Sequence, residues 1–309
     1  MHRRFATIWL CAALLCACGG GGSSYDTPAV VPTTPQPEAG APTASGNIPQ
    51  DGRNWINFRR AQLGIAVLAD NALVDLAAQH HADYLRLNDL VSHDEISGKP
   101  GFTGSNLLER LRSAGYSFGN AGYAYGEVIS ASASQSGFFL SEELITAIYH
   151  RFVIFEPKFK ELGAGAATNG SGYTYFTADF TANNGTGPGL GRGAVVVWPF
   201  AGQTGVTPNF FSDYESPDPV AGSNEVGYPV SVHADIDAVL SVAEFALRPR
   251  GGADLAVKLL THAGDAATPA AAAAIVPLAP LKPGTVYEAR FSGKADGSAV
   301  LRNWSFTTK

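Results

Sequence analysis

The chain has 309 residues, a net charge of −6 and only 16% charged residues. That length leaves room for two ordinary domains, the acidic balance excludes a broadly basic nucleic-acid surface, and the 45% apolar content with regular patterning excludes wholesale disorder. All three cysteines, Cys11, Cys16 and Cys18, sit in the first 18 residues, so thiolate catalysis, cysteine-held metals and disulfides are excluded from the rest.

In chain order, Arg3 and Arg4 precede an apolar run over residues 5–17. The run is shorter than the ~20 residues a bilayer span needs, and the pattern is that of a signal peptide over residues 1–17. Leu15-Cys16-Ala17-Cys18 resembles a bacterial lipobox. The resemblance implies cleavage before Cys18 and a lipid on its sulfur; the alternative is a plain secretory signal cut near Gly19. Residues 18–47 follow as the lipidated Cys18 and a disordered linker, Gly/Ser-rich and then Pro/Thr/Ala-rich. The expected location is therefore the bacterial cell envelope, lipid-anchored, or secreted. Gly19 after the cysteine fits outer-membrane sorting within the same resemblance.

Helical spacing of Trp55, Ile56, Phe58 and Leu63 predicts a first helix over residues 51–64. A stronger stripe, Leu73, Leu76, Ala77, Tyr84, Leu85 and Leu87, predicts a second over 68–89, capped by Asp70 or Asn71. His80 and His81 are adjacent on it and point about 100° apart, so they do not share a ligand; one is expected to pack and the other to be solvated. A third helix is expected over 106–114, a strand over 123–129, and a long helix from Ser141 to about Phe152 with Glu142 and Glu143 in its first turn, where the helix dipole favours acids. Residues 161–165 and 173–180 are expected to pair as strands around Asn169-Gly170.

Helices packed around an antiparallel sheet make an α+β arrangement, and here an ordered series of short motifs carries a resemblance. Asn57-x-Arg59, the helix containing Leu76-Ala-Ala and His80-His81-Ala82, Ser92-His93, Ala114-Gly115-Tyr116, Gly126-Glu127, Tyr149-His150-Arg151 and Gly163-x-Gly165 follow one another. The series resembles a bacterial CAP (SCP) domain, of the cysteine-rich secretory, antigen 5 and pathogenesis-related superfamily, over residues 48–182. The resemblance implies an α-β-α sandwich with a cavity lined by His93, Glu127 and His150, with Glu142, Glu143 or neither in place of a second glutamate. It departs from many bacterial members in having Val128 after Glu127 and Ile148-Tyr149 before the His-Arg pair.

Two neutral imidazoles and a carboxylate suit a divalent cation such as zinc, with His93 and His150 as ligands. They equally suit acid–base work near neutral pH. Alternatively, each is structural: a cap for His93, an acceptor of backbone amides for Glu127, a helix-end charge for His150.

Residues 183–221 are Gly/Pro-rich and predict a connector. Residues 222–309 show short alternating runs, and Asp296-Gly297 marks a hairpin turn. Leu281-x-Pro283-x-x-x-Tyr287 resembles the tyrosine corner of fibronectin-type and bacterial Ig-like sandwiches. The Ala-rich residues 266–274 are expected to be loop, and His233 and His262 to be surface residues. The expected whole is a CAP-type sandwich followed by an Ig-like β-sandwich, with a binding or accessory role favoured over catalysis. The expected partners are a membrane, through the Cys18 lipid, and an envelope or extracellular ligand, not nucleic acid. A metal-assisted hydrolase acting on peptide or envelope polymer, or a purely structural envelope module, are the alternatives.

Overall fold

The protein is described here from a computed structural model, covering residues 38–309. The signal segment and Cys18 lie outside the described residues.

Asn47 opens the first helix, α1 (Ile48–Leu63), by accepting from the Gln50 amide, and Gly64 closes it at φ 81°. Just before it, the Ser45 and Gly46 amides donate to the buried Asp51 carboxylate, so the end of the expected linker is ordered against the helix. After the two-residue strand β1 (Ala69–Asp70), Asn71 caps α2 (Ala72–Asn88) with its side-chain oxygen, as the sequence signals. Asn106 caps α3 (Leu107–Ser113). The strand β2 (Ala124–Ser132) is followed by α4 (Gly137–Thr146) and α5 (Ile148–Ile154). The single helix expected from Ser141 is thus two. Ser136 caps the first, and Ala147, at ψ 122°, breaks the ladder between them. Then come β3 (Glu161–Thr168) and β4 (Thr174–Ala182), the expected antiparallel pair.

These strands form one sheet in the order β1-β3-β4-β2. Side-chain parity divides it into two faces. Val128, Phe176, Ala178 and Phe180 pack with Ile56, Leu140, Leu144 and Ile145 of α1 and α4. Ile129 and Tyr175 pack with Tyr84 and Leu85 of α2 on the opposite face. The result is the α-β-α sandwich. Its tightest approach explains Gly163-x-Gly165: a Cβ at either position would lie 2.2–2.3 Å from α2 backbone at Val74 or Gln79, so only glycine admits the helix.

The remaining strands are β5 (Val196–Trp198), β6 (Asn209–Phe211), β7 (Glu225–Gly227), β8 (Val230–His233), β9 (Leu240–Pro249), β10 (Val257–Thr261), β11 (Ala272–Pro277), β12 (Val286–Ala295) and β13 (Ser298–Thr307). They make a sheet β10-β11-β8-β5, a sheet β13-β12-β9 and a pair β6-β7. The stretch expected to be a connector therefore contributes two strands. The Ala-rich stretch, expected to be loop, supplies buried β11; small side chains suit a strand that is covered along its whole length. Asp296 and Gly297 both take positive φ, 51° and 80°, in the β12–β13 hairpin, as a primed turn requires. The Tyr287 hydroxyl accepts from the Lys282 amide at 2.8 Å, the corner contact expected of it.

Residues 39–309 form one compact unit. Its largest apolar cluster joins Ile56 and Phe155 of the sandwich to Trp198, Val230, Phe291 and Phe306 of the β-rich half. Among the described residues, no helix is long and apolar enough to cross a membrane.

Candidate functional site

The site begins with α2. Val74, Ala77, Ala78, Tyr84 and Leu85 line its buried side, and His81 falls on the same stripe, fully buried. The His81 Nδ1 faces Glu95 Oε1 at 2.9 Å, and its Nε2 faces the Ser92 carbonyl at 2.9 Å. Both partners are hydrogen-bond acceptors, so the ring is held from both sides. Glu95 also takes the Thr103 amide at 2.6 Å and the Gly104 amide at 3.3 Å. Burial alone would raise the Glu95 carboxyl; the His81 bond and these amides outweigh it and hold the group below its ordinary value. The loop carrying Ser92 and His93 is thereby pinned to α2 from beneath.

Arg110 supplies the second support. It sits among Leu107, Leu111 and Ala114 on the buried stripe of α3, with its side chain fully enclosed. One Nη donates to the His93 carbonyl at 2.7 Å, the other to Glu127 Oε2 at 2.5 Å. The other Glu127 oxygen holds His93 Nδ1 at 2.8 Å and lies 4.0 Å from His81 Nε2. Burial would raise the Glu127 carboxyl; the His93 bond and the charges on Arg110 and His81 outweigh it, so the group stays ionised well below the usual range. The His93 side chain remains 60% exposed, and its Nε2 has no hydrogen-bond partner among the described residues.

Behind Glu127 lies Asp179, directly across the β2–β4 ladder and fully buried. Neither of its oxygens meets a donor. Burial first, and the Glu127 charge next, push this carboxyl well above its ordinary range. A proton on Asp179 supplies a donor toward Glu127.

His150 goes elsewhere. Its Nδ1 meets Glu215 Oε1 at 2.9 Å, and the Ile148, Tyr149 and His150 amides donate to the same carboxylate at 2.9, 2.6 and 3.1 Å. Tyr149 donates its hydroxyl to Asp265 Oδ2 at 2.9 Å. Arg151, fully buried, donates to the Pro229 carbonyl at 2.7 Å and the Ser231 hydroxyl at 3.2 Å. Arg151 also donates to the Ile145 and Thr146 carbonyls at the end of α4, but the other partners in this set belong to the β-rich half. Glu142 is taken by Trp55 Nε1 and Arg59 Nε. Glu143 is exposed and its carboxylate has no hydrogen-bond or ion-pair partner among the described residues; partial burial of the carboxyl still pushes it up to about 7.

The structure thus joins His93 to Glu127 and joins His150 to Glu215. The expected zinc-type cation does not fit these donors. Both Glu127 oxygens are engaged, one by a guanidinium, and the His150 Nδ1 is held by Glu215. Among the described residues, no three His, Cys, Asp or Glu side chains are grouped so as to hold a metal ion. One surface expectation is also overturned: His233 is buried between Phe152 and Phe155, and burial with the nearby Arg151 charge pushes its imidazole down to about 3. His262 is exposed, as expected, with its Nδ1 facing the Thr268 carbonyl at 2.9 Å.

His81, Glu95, Arg110 and Asp179 did not stand out as site residues in the sequence. The signal for two of them is there: 74-77-78-81 and 107-110-111-114 are helical apolar stripes in which one charged or titratable residue replaces an apolar one.

A comparison with curated proteins finds no match. An extracellular protein containing an SCP domain from Bacillus anthracis str. Ames is 21% identical, with a TM-score of 0.36; the match covers 45% of this chain and 44% of that one. This chain therefore spans less than half of that protein's length. An outer surface protein from Borrelia burgdorferi is 14% identical, with a TM-score of 0.36, over 42% of this chain and 89% of that one. Residues 54–180, from α1 to the end of β4 and including His93, Glu127 and His150, match the family model CAP, the cysteine-rich secretory protein family, and so the chain carries a CAP domain.

Proposed function

We propose that this is an envelope-facing binding protein, tethered through a lipid on Cys18, in which His93 is the contact residue of the CAP domain. One observation carries the reading: an imidazole that is 60% exposed, fixed through Nδ1 at 2.8 Å on a buried carboxylate that Arg110 holds in place. A carboxylate on one ring nitrogen sets the orientation of the other. The His93 Nε2 is thus presented to solvent at low orientational cost, which favours recognition of a polar group. Among the described residues no metal donor set accompanies it, and both oxygens of the neighbouring Glu127 are engaged, which favours binding over hydrolysis.

The test is co-sedimentation of the full chain with purified cell-envelope polymer, alongside His93→Ala and Glu127→Gln. Retention should fall about tenfold for His93→Ala, which is ~1.4 kcal/mol of lost contact, with no soluble fragments released by the wild type. Fragment release abolished by Glu127→Gln would replace this reading with the hydrolase. Equal retention of all three proteins would leave a purely structural module.

A further inference from the structure

The strand that carries Glu127 also carries an aromatic surface. Tyr125 precedes it by two residues and shares its face of β2, and Tyr123 lies immediately before the strand. This strand is an edge of its sheet. Tyr123 and Tyr125 are 46% and 41% exposed, their rings nearly parallel at 16° with centroids 6.2 Å apart. Phe118 packs against both, at 4.5 Å and 6.1 Å. Among the described residues neither tyrosine hydroxyl has a hydrogen-bond partner.

The shelf is pre-formed. The Asn183 side chain accepts from the Gly119 amide at 2.7 Å and donates to the Ser117 carbonyl at 2.7 Å, and the Gly185 amide donates to the Gly122 carbonyl at 2.9 Å. Both ends of the loop are therefore tied to the segment after β4. Beside the shelf lies a cavity of about 300 Å³ lined by Arg112, Gly115, Tyr116, Ser117 and Phe118. Arg112 is exposed and, among the described residues, has no carboxylate partner.

We propose that this shelf and cavity form a subsite for a carboxylated sugar unit of an acidic glycan, beside the strand whose Glu127 holds His93. Exposed aromatic rings offer flat apolar faces to the C–H face of a pyranose ring, and their free hydroxyls sit at the rim where sugar hydroxyls lie. An unpaired guanidinium offers a planar fork to a carboxylate. A purely apolar ligand would leave that charge and both hydroxyls unused. The assignment rests on the reading of His93 as a binding contact and names the ligand class for it.

The experiment is a calorimetric titration of the full chain with a tetramer of galacturonic acid and with its methyl ester, for wild type, Tyr123→Ala/Tyr125→Ala, Arg112→Gln and His93→Ala. All substituted positions are exposed, and matched thermal melts establish that the variants fold. The wild type should bind the acid form at least about tenfold more tightly than the ester. The double tyrosine variant should lose binding of both forms, and Arg112→Gln should lose only the preference for the acid. Absence of binding by the wild type, or unchanged binding by the double tyrosine variant, would overturn the subsite. Loss in the tyrosine variant with full retention in His93→Ala would keep the subsite and remove His93 from it.

Discussion

The two family histidines differ in what surrounds them. His93 and His150 each give Nδ1 to a carboxylate, at 2.8 Å and 2.9 Å. Yet the His93 side chain is 60% exposed and that of His150 only 19%. Glu127 comes from the sandwich itself and leaves the far side of His93 open. Glu215 comes from the β-rich half and closes His150 into a seam with Tyr149 and Arg151. The same residue type thus presents a contact in one place and clamps two parts of the molecule in the other. The carboxylate partner, not the histidine, decides which.

The comparison is broken most severely at Arg110. Arg110→Met leaves Glu95 and Glu127 buried without their guanidinium, and should cost about 3–5 kcal/mol in denaturant unfolding; an unchanged midpoint would mean the cluster does not carry its charges as described. Next is Glu215→Ala, which strips three backbone amides and His150 of their acceptor. It should cost about 1–3 kcal/mol, and His93-dependent retention on envelope polymer should survive it.

A pH series separates the buried acids. The Asp179 carboxyl is raised in the fold, so its contribution is complete below the unfolded value of 3.8 and is lost as pH climbs toward its folded value. Glu127 is lowered, so its contribution is present above 4.5 and is lost on acidification. Asp179→Asn mimics the protonated acid. It should match the wild type near pH 3 and exceed it increasingly on the alkaline side, by up to about 1.4 kcal/mol per pH unit. Parallel curves would show that Asp179 is not the protonated partner. The smallest expected stability effect is at His93 itself: His93→Ala, at an exposed ring, should stay within about 0.5 kcal/mol of wild type in a thermal melt. Outside the described residues, Cys18→Ala should move the protein from the membrane fraction to the soluble one on cell fractionation; retention in the membrane would remove the lipid from the account.

Much of the frame was legible in the sequence because it rests on local rules. Asn71 caps α2, Asp296-Gly297 turns the last hairpin, and the Tyr287 hydroxyl meets the corner backbone. His93 and Glu127 were legible only through family resemblance, since no periodicity relates positions 34 residues apart. Glu215 was not legible at all. A single carboxylate that reaches across to helix amides leaves no mark on the pattern around it. The break at Ala147 belongs to the same event: it frees the three amides that Glu215 collects. Arg110 and His233 were missed for a simpler reason. Titratable residues default to the surface on composition, and these two are buried through groups from other elements, Glu127 and the His93 carbonyl for Arg110, Phe152 and Phe155 for His233.

The central claim is that His93 is the working imidazole and His150 a clamp. It is tested most directly by measuring envelope-polymer retention and thermal midpoint together for His93→Ala and His150→Ala in the full chain. The account predicts that His93→Ala loses retention with its midpoint unchanged, and that His150→Ala lowers the midpoint while the folded protein keeps its retention. Retention lost through His150→Ala at an unchanged midpoint, with His93→Ala fully retained, would contradict it.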